Sequence, residues 1–90
     1  MPNIEMYGFQ EVQAAGVSAM IAKLFENKSY RDEYVLTVVL SEVTDHRNVH
    51  QPYLRLVSTP NDHIEDIIEE LRKLKFDVEV MILTKFIPKE

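Results

Sequence analysis

The hydrophobic pattern predicts a small α/β (α+β) domain of βαββαβ order, built as two pseudo-symmetric βαβ units. Three observations predict it. Alternating apolar and polar residues open the chain and return at Tyr53. Two stretches carry apolar residues at three- and four-residue steps, and each is followed by a β-branched, apolar run. The two halves of the chain also resemble one another.

Residues 2 to 9 alternate Ile4 and Met6 with Asn3 and Glu5, as a half-buried strand does. From about Gln10 to Asn27, Ala14, Val17, Met20, Ile21, Leu24 and Phe25 form one helical face. Gly16 lies inside that helix and costs about 1 kcal/mol against alanine unless a close backbone contact compensates. Tyr34 to Leu40 is almost wholly apolar, which predicts a strand covered on both faces, central or at an interface. Thr44 to Gln51 is a polar connector, and Tyr53 to Val57 alternates into a third strand ending at Ser58.

Thr59-Pro60-Asn61-Asp62 predicts a helix start, with Thr59 as cap, Pro60 in the first turn and Asp62 at the capping-box offset. Ile64, Ile67, Ile68, Leu71 and Leu74 line one face of that helix; acids crowd its start, and Arg72, Lys73 and Lys75 its end, as the helix dipole favours. Phe76 to Ile87 supplies the last strand.

Self-comparison lays Pro2-Asn3-Ile4-Glu5-Met6 over Pro52-Tyr53-Leu54-Arg55-Leu56, and Val35 through Glu42 over Val78 through Lys85. On that alignment the first copy is longer by seven residues, which belong in or beside the first helix. Residues 1–90 therefore read as a single domain with repeat-like halves 2–43 and 52–87 and a connector at 44–51.

Composition narrows the function classes. At 46% hydrophobic and 28% charged with two glycines, the chain has the make-up of a folded domain rather than a disordered one. With no cysteine, disulfides, thiolate metal sites and cysteine nucleophiles are excluded. A formal charge of −5 opposes the counterion-release attraction that nucleic-acid binders use, so no nucleic-acid partner is expected. No apolar run approaches the twenty residues of a membrane span and no signal-peptide pattern opens the chain, so the expectation is a cytoplasmic protein without a membrane partner. His46 and His50 with Asp45 in the connector, and His63 at the beginning of the second helix, lack the helical pairing of a metal site. Neither metal nor cofactor is expected. The acids Glu65, Asp66, Glu69 and Glu70 read as a solvated helix face.

The opening Met1-Pro2-Asn3-Ile4, followed by a strand, a long helix and the segment Thr37 to Val43 (Thr-Val-Val-Leu-Ser-Glu-Val), resembles the tautomerase superfamily of 4-oxalocrotonate tautomerases and macrophage migration inhibitory factor. The two-copy Pro-β-α-β layout strengthens the likeness. The resemblance implies a four-stranded mixed sheet with both helices on one face, the first two strands being parallel neighbours, and a homotrimer with a barrel-like core. It also implies that Pro2, freed by loss of Met1, is the general base for keto–enol tautomerisation of a small carboxylate-bearing keto or enol acid.

A free α-amino group titrates near 8, and a base works best near the operating pH, so partial burial and nearby cations must hold Pro2 neutral. Such cations also grip the substrate carboxylate and the developing enolate. Here the sequence departs from the family. Val12 and Thr37 occupy the slots of the two 4-oxalocrotonate tautomerase arginines, and Tyr30 falls near the slot of the migration inhibitory factor lysine, with Lys28 and Arg31 close by.

The substrate-binding candidates are therefore Arg31, Tyr34 and Arg55. Each has a plainer reading: Arg31 as a solvated loop charge, Tyr34 as a core residue, Arg55 as a strand residue paired with Glu5. With Met1 attached, Pro2 is an amide and no base. The rival expectation is a non-catalytic oligomeric or ligand-binding module, either a degenerate tautomerase or a ferredoxin-like domain. A ferredoxin-like sheet separates the first two strands by another.

Overall fold

A computed structural model describes residues 1–39 and 51–84. Alternation in the first and third strands produces β1 (Asn3–Tyr7) and β3 (Tyr53–Ser58), whose even-numbered residues Ile4, Met6, Leu54, Leu56 and Ser58 are buried. Between β1 and β2 (Val35–Val39) runs α1 (Glu11–Phe25), and between β3 and β4 (Asp77–Ile82) runs α2 (Ile64–Arg72). The order is thus βαββαβ. Ala14, Val17, Ile21 and Phe25 of α1 and Ile67 and Leu71 of α2 pack with the even-numbered strand residues into one core. Both helices therefore cover the same face of the sheet, and among the described residues no helix lies over the face carrying Glu5, Tyr7, Tyr53 and Arg55.

The sheet order is β2-β1-β3-β4. β1 pairs with β2 in parallel and with β3 antiparallel, and β3 pairs with β4 in parallel. Direct parallel pairing of β1 with β2 rules out the ferredoxin-like arrangement. The pseudo-twofold passes by the Glu5–Arg55 pair, because Glu5 opposes Arg55 across the central strands and each half repeats the same parallel pairing outward.

The register corrects part of the self-comparison. Pro2 over Pro52 stands, since Asn3 and Tyr53 occupy equivalent positions, but the equivalent of Val35 is Asp77 rather than Val78. Thr37 stands 32 residues after Glu5 and Glu79 stands 24 after Arg55, so the first unit is longer by eight residues. A run of consecutive apolar residues matches its copy equally well one residue out of step, although that slip exchanges the faces. Much of the extra length is in α1, at 15 residues against 9 for α2.

Two further expectations change. β2 is an edge strand, and Val35 and Val38 are 44% and 38% exposed. Its apolar sequence signalled neither a central position nor, among the described residues, cover on both faces. Helix α2 begins at Ile64 instead of at Pro60, because the Asn61 side-chain oxygen accepts the His63 N–H at 2.6 Å and closes a separate turn ahead of the helix. At α1 the Gln10 N–H donates to Oε1 of Gln13 at 3.0 Å, satisfying a donor at the helix start. Gly16 has open space where a Cβ would sit, so no close contact offsets its cost. Gly8 is different: its φ is +78°, and a Cβ there would lie 3.3 Å from the Pro52 Cα.

Leu40 to His50 and Lys85 to Glu90 lie outside the described residues, and with them Leu40–Val43 of the tautomerase-like segment, nearly all of the connector, and Asp45, His46 and His50.

Candidate functional site

Pro2 is buried immediately before β1, and its carbonyl accepts the Val35 N–H at 2.9 Å. That bond ties the start of β1 to the start of β2, so the imino acid sits at the common end of the two parallel strands. Met1 beyond it is 74% exposed.

Tyr34 directly precedes Val35 and belongs with the core. Its ring meets Phe25 edge-on at 4.9 Å, and Tyr30 meets the same Phe25 edge-on at 5.1 Å. Burial pushes the Tyr34 hydroxyl above its ordinary pKa, and the nearby Asp32 charge adds to the effect. Arg31 is exposed on the turn before Tyr34; its Nη1 donates to the Lys28 carbonyl at 3.3 Å and its Nε lies 4.0 Å from the Asp32 carboxylate. Arg31 and Tyr34 thus belong to the segment that leads to the Pro2 end.

Arg55 does not. It projects from the helix-free face, where Nε and Nη2 donate to Oε2 of Glu79 at 3.3 and 3.1 Å, and Nη1 donates to the Tyr7 hydroxyl oxygen at 3.3 Å. The guanidinium carbon lies 4.9 Å from the centre of the Tyr7 ring. Tyr7 ends β1 at the extremity away from Pro2, so the charge of Arg55 is turned from the imino acid of its own chain. The expected partner Glu5 faces Arg55 in register, yet its carboxylate accepts the Tyr7 hydroxyl at 2.9 Å while Glu79 takes the guanidinium. The Glu79 carboxylate raises the Arg55 pKa further, and the bond to Glu5 raises that of Tyr7.

Sequence reasoning missed two groupings. On the bare face the Tyr7 and Tyr53 rings stack at 4.9 Å with 5° between planes. Beside them Gln51, Tyr53, Arg55, Asp77 and Glu79 line an open cavity of about 430 Å³. Tyr7 stands two residues from Glu5 and Tyr53 two from Arg55, but only the β1–β3 register brings the rings together.

On the helical side, Tyr30 is 3% exposed and donates its hydroxyl to Oδ2 of Asp66 at 2.6 Å. Lys28 lies 3.1 Å from Asp66 and 3.4 Å from Glu70, and Lys73 lies 2.9 Å from Glu70. Burial first, and then the bond to Asp66, push the Tyr30 hydroxyl up. The Tyr30 bond and then Lys28 hold Asp66 below the usual carboxylate range, and Lys73 and then Lys28 do so for Glu70. Asp66 and Glu70 are therefore not merely a solvated face. They clasp the segment after α1 onto α2.

The comparisons with known proteins support the fold. No family model and no curated protein matches the chain. Among solved structures it is similar to a protein of unknown function from Vibrio cholerae, with a TM-score of 0.59 and 12% identity over 92% of this chain and 78% of that one. It is likewise similar to a domain of unknown function (DUF1904) from Sebaldella termitidis, with a TM-score of 0.59 and 14% identity over 96% of this chain and 90% of that one. At such identities the likeness is one of fold, a small α/β architecture. Among the described residues, no helix is long and apolar enough to cross a membrane.

Proposed function

We propose that this chain is a tautomerase-like isomerase that acts through Pro2 after loss of Met1, as a cytoplasmic homotrimer that needs no cofactor. The observation that carries the reading is the burial of Pro2 at the common end of the parallel strands β1 and β2, its carbonyl held by Val35. An amine fixed there is partly desolvated, which disfavours its charged form and leaves a base near neutrality. Its lone pair takes a proton from the carbon beside the carbonyl of a small keto acid, and the C–H electrons move to the carbonyl oxygen as an enolate. The proton then returns to oxygen or to carbon.

Arg31, on the turn leading to the Pro2 end, is the cation for the substrate carboxylate, and Tyr34 helps to hold the segment that carries it. Arg55 serves only a neighbouring subunit. Val35, Val38, Val80, Met81, Ile82 and Leu83 are all exposed on or beside the two edge strands, which supports cover by other subunits.

One observation favours a second reading, a non-catalytic oligomeric or ligand-binding module: Lys28 and Arg55 are already paired, with Asp66 and Glu79. Intact mass and α-proton exchange of a 2-keto acid in heavy water separate the two readings. The isomerase reading expects a mature chain lacking Met1 and a Pro2→Ala exchange rate at least about a hundredfold lower, the scale of acid–base catalysis. A retained Met1, or exchange unchanged in the variant, refutes it.

A further inference from the structure

The row Tyr7, Tyr53, Asp77 crosses the helix-free face in register. Tyr7 covers one face of the Tyr53 ring. On the next strand the short Asp77 side chain takes the place a third ring would fill, and the cavity of about 430 Å³ lined by Tyr53, Asp77, Gln51, Arg55 and Glu79 opens there. Its size falls within the range of small-molecule sites.

Its charges are unequal. Arg55 is neutralised by Glu79, whereas Asp77 has no ion-pair partner among the described residues. The cavity thus offers a carboxylate that is unpaired among the described residues beside an aromatic face, and both attract a cation. The same face already carries such an arrangement internally, with the Arg55 guanidinium over the Tyr7 ring and bonded to a carboxylate.

We propose that this cavity binds a small, free guanidinium compound, its planar cation lying along the side of the Tyr53 ring away from Tyr7 and donating to the Asp77 carboxylate. A guanidinium suits the pair better than an ammonium, because it stacks as a plane and donates two parallel hydrogen bonds to one carboxylate. The Gln51 side chain lies at the same opening for the remaining polar end of the ligand. Pro2 takes no part in the inference, although Arg55, which the isomerase reading gives to a neighbouring subunit, lines the same cavity.

Titration of the ¹⁵N-labelled full chain with agmatine, followed by amide shifts, tests it. The shifts are expected to concentrate on Gln51–Arg55 and Asp77–Glu79, with agmatine binding at least fivefold more tightly than 1,5-diaminopentane. Asp77→Asn and Tyr53→Leu are each expected to weaken agmatine at least fivefold, with amide spectra away from the cavity unchanged as the check on folding. Equal affinity for agmatine and the diamine, or an Asp77→Asn titration like that of the parent, overturns the proposal. Tighter binding of a capped Gly-Arg-Gly peptide than of agmatine overturns the assignment to a free small molecule.

Discussion

Replacing Phe25 with leucine tests whether aromatic geometry holds the entry to β2. Phe25 is fully buried, and its ring is met edge-on by Tyr30 at 5.1 Å and Tyr34 at 4.9 Å. Leucine keeps an apolar side chain of similar reach but removes both ring pairs, each of which contributes about 0.5–1.5 kcal/mol beyond the area it buries. Two pairs make the expected loss about 1–3 kcal/mol, a large fraction of the stability of a small domain. For a chain of this size each kcal/mol lowers the melting temperature by about 4–8 °C. Urea unfolding followed by circular dichroism measures the loss, with Ile21→Val as a non-aromatic control that costs about 0.5–1.5 kcal/mol. A Phe25→Leu cost below about 1 kcal/mol would refute the reasoning, since the two ring contacts would then add less than the smallest loss expected of them. The consequence reaches the candidate site, because Tyr34 precedes the Val35 that bonds Pro2.

Gly8→Ala is expected to destabilise by about 1–2 kcal/mol, because φ there is positive and the new methyl meets Pro52, whereas Gly16→Ala should stabilise by up to about 1 kcal/mol in open helix. Paired urea midpoints check both signs. Stability should also fall at both ends of the pH scale. Asp66 and Glu70 have lowered pKa values, so their contribution is present above the unfolded carboxylate values near 4 and is lost as pH drops through and below them. Tyr30 has a raised pKa, so its contribution is present below the unfolded tyrosine value near 10 and is lost above it. Urea midpoints across pH check this, and Tyr30→Phe should lessen the alkaline loss, to which the buried Tyr34 also contributes, and should also lessen the Asp66 part of the acid loss, since the Tyr30 bond is the first cause of that lowered pKa, while the Glu70 part stays.

Much of the fold was legible along the chain. Period-two alternation identified β1 and β3, and period-3.6 faces identified both helices, because each is a local consequence of burying one side of an element. Pro2 ahead of the first strand was visible in the same way, whereas its candidacy as a base came only from the family resemblance. Less local matters were not. The apolar run of β2 reads alike for a central strand and for an edge that awaits cover, and it matches β4 equally well one residue out of step. The switch of Arg55 from Glu5 to Glu79, the stacking of Tyr7 on Tyr53, and the clasp of Lys28 and Tyr30 on Asp66 join residues from different strands, or from a turn and a distant helix.

The amino-acid order by itself determined which segments are strands and helices and which of their faces are apolar, since these follow from the spacing of side chains a few positions apart. Strand order, register and the partner of each charge were decided only in three dimensions, where competing carboxylates and rings stand at fixed distances and the closest satisfied pair prevails.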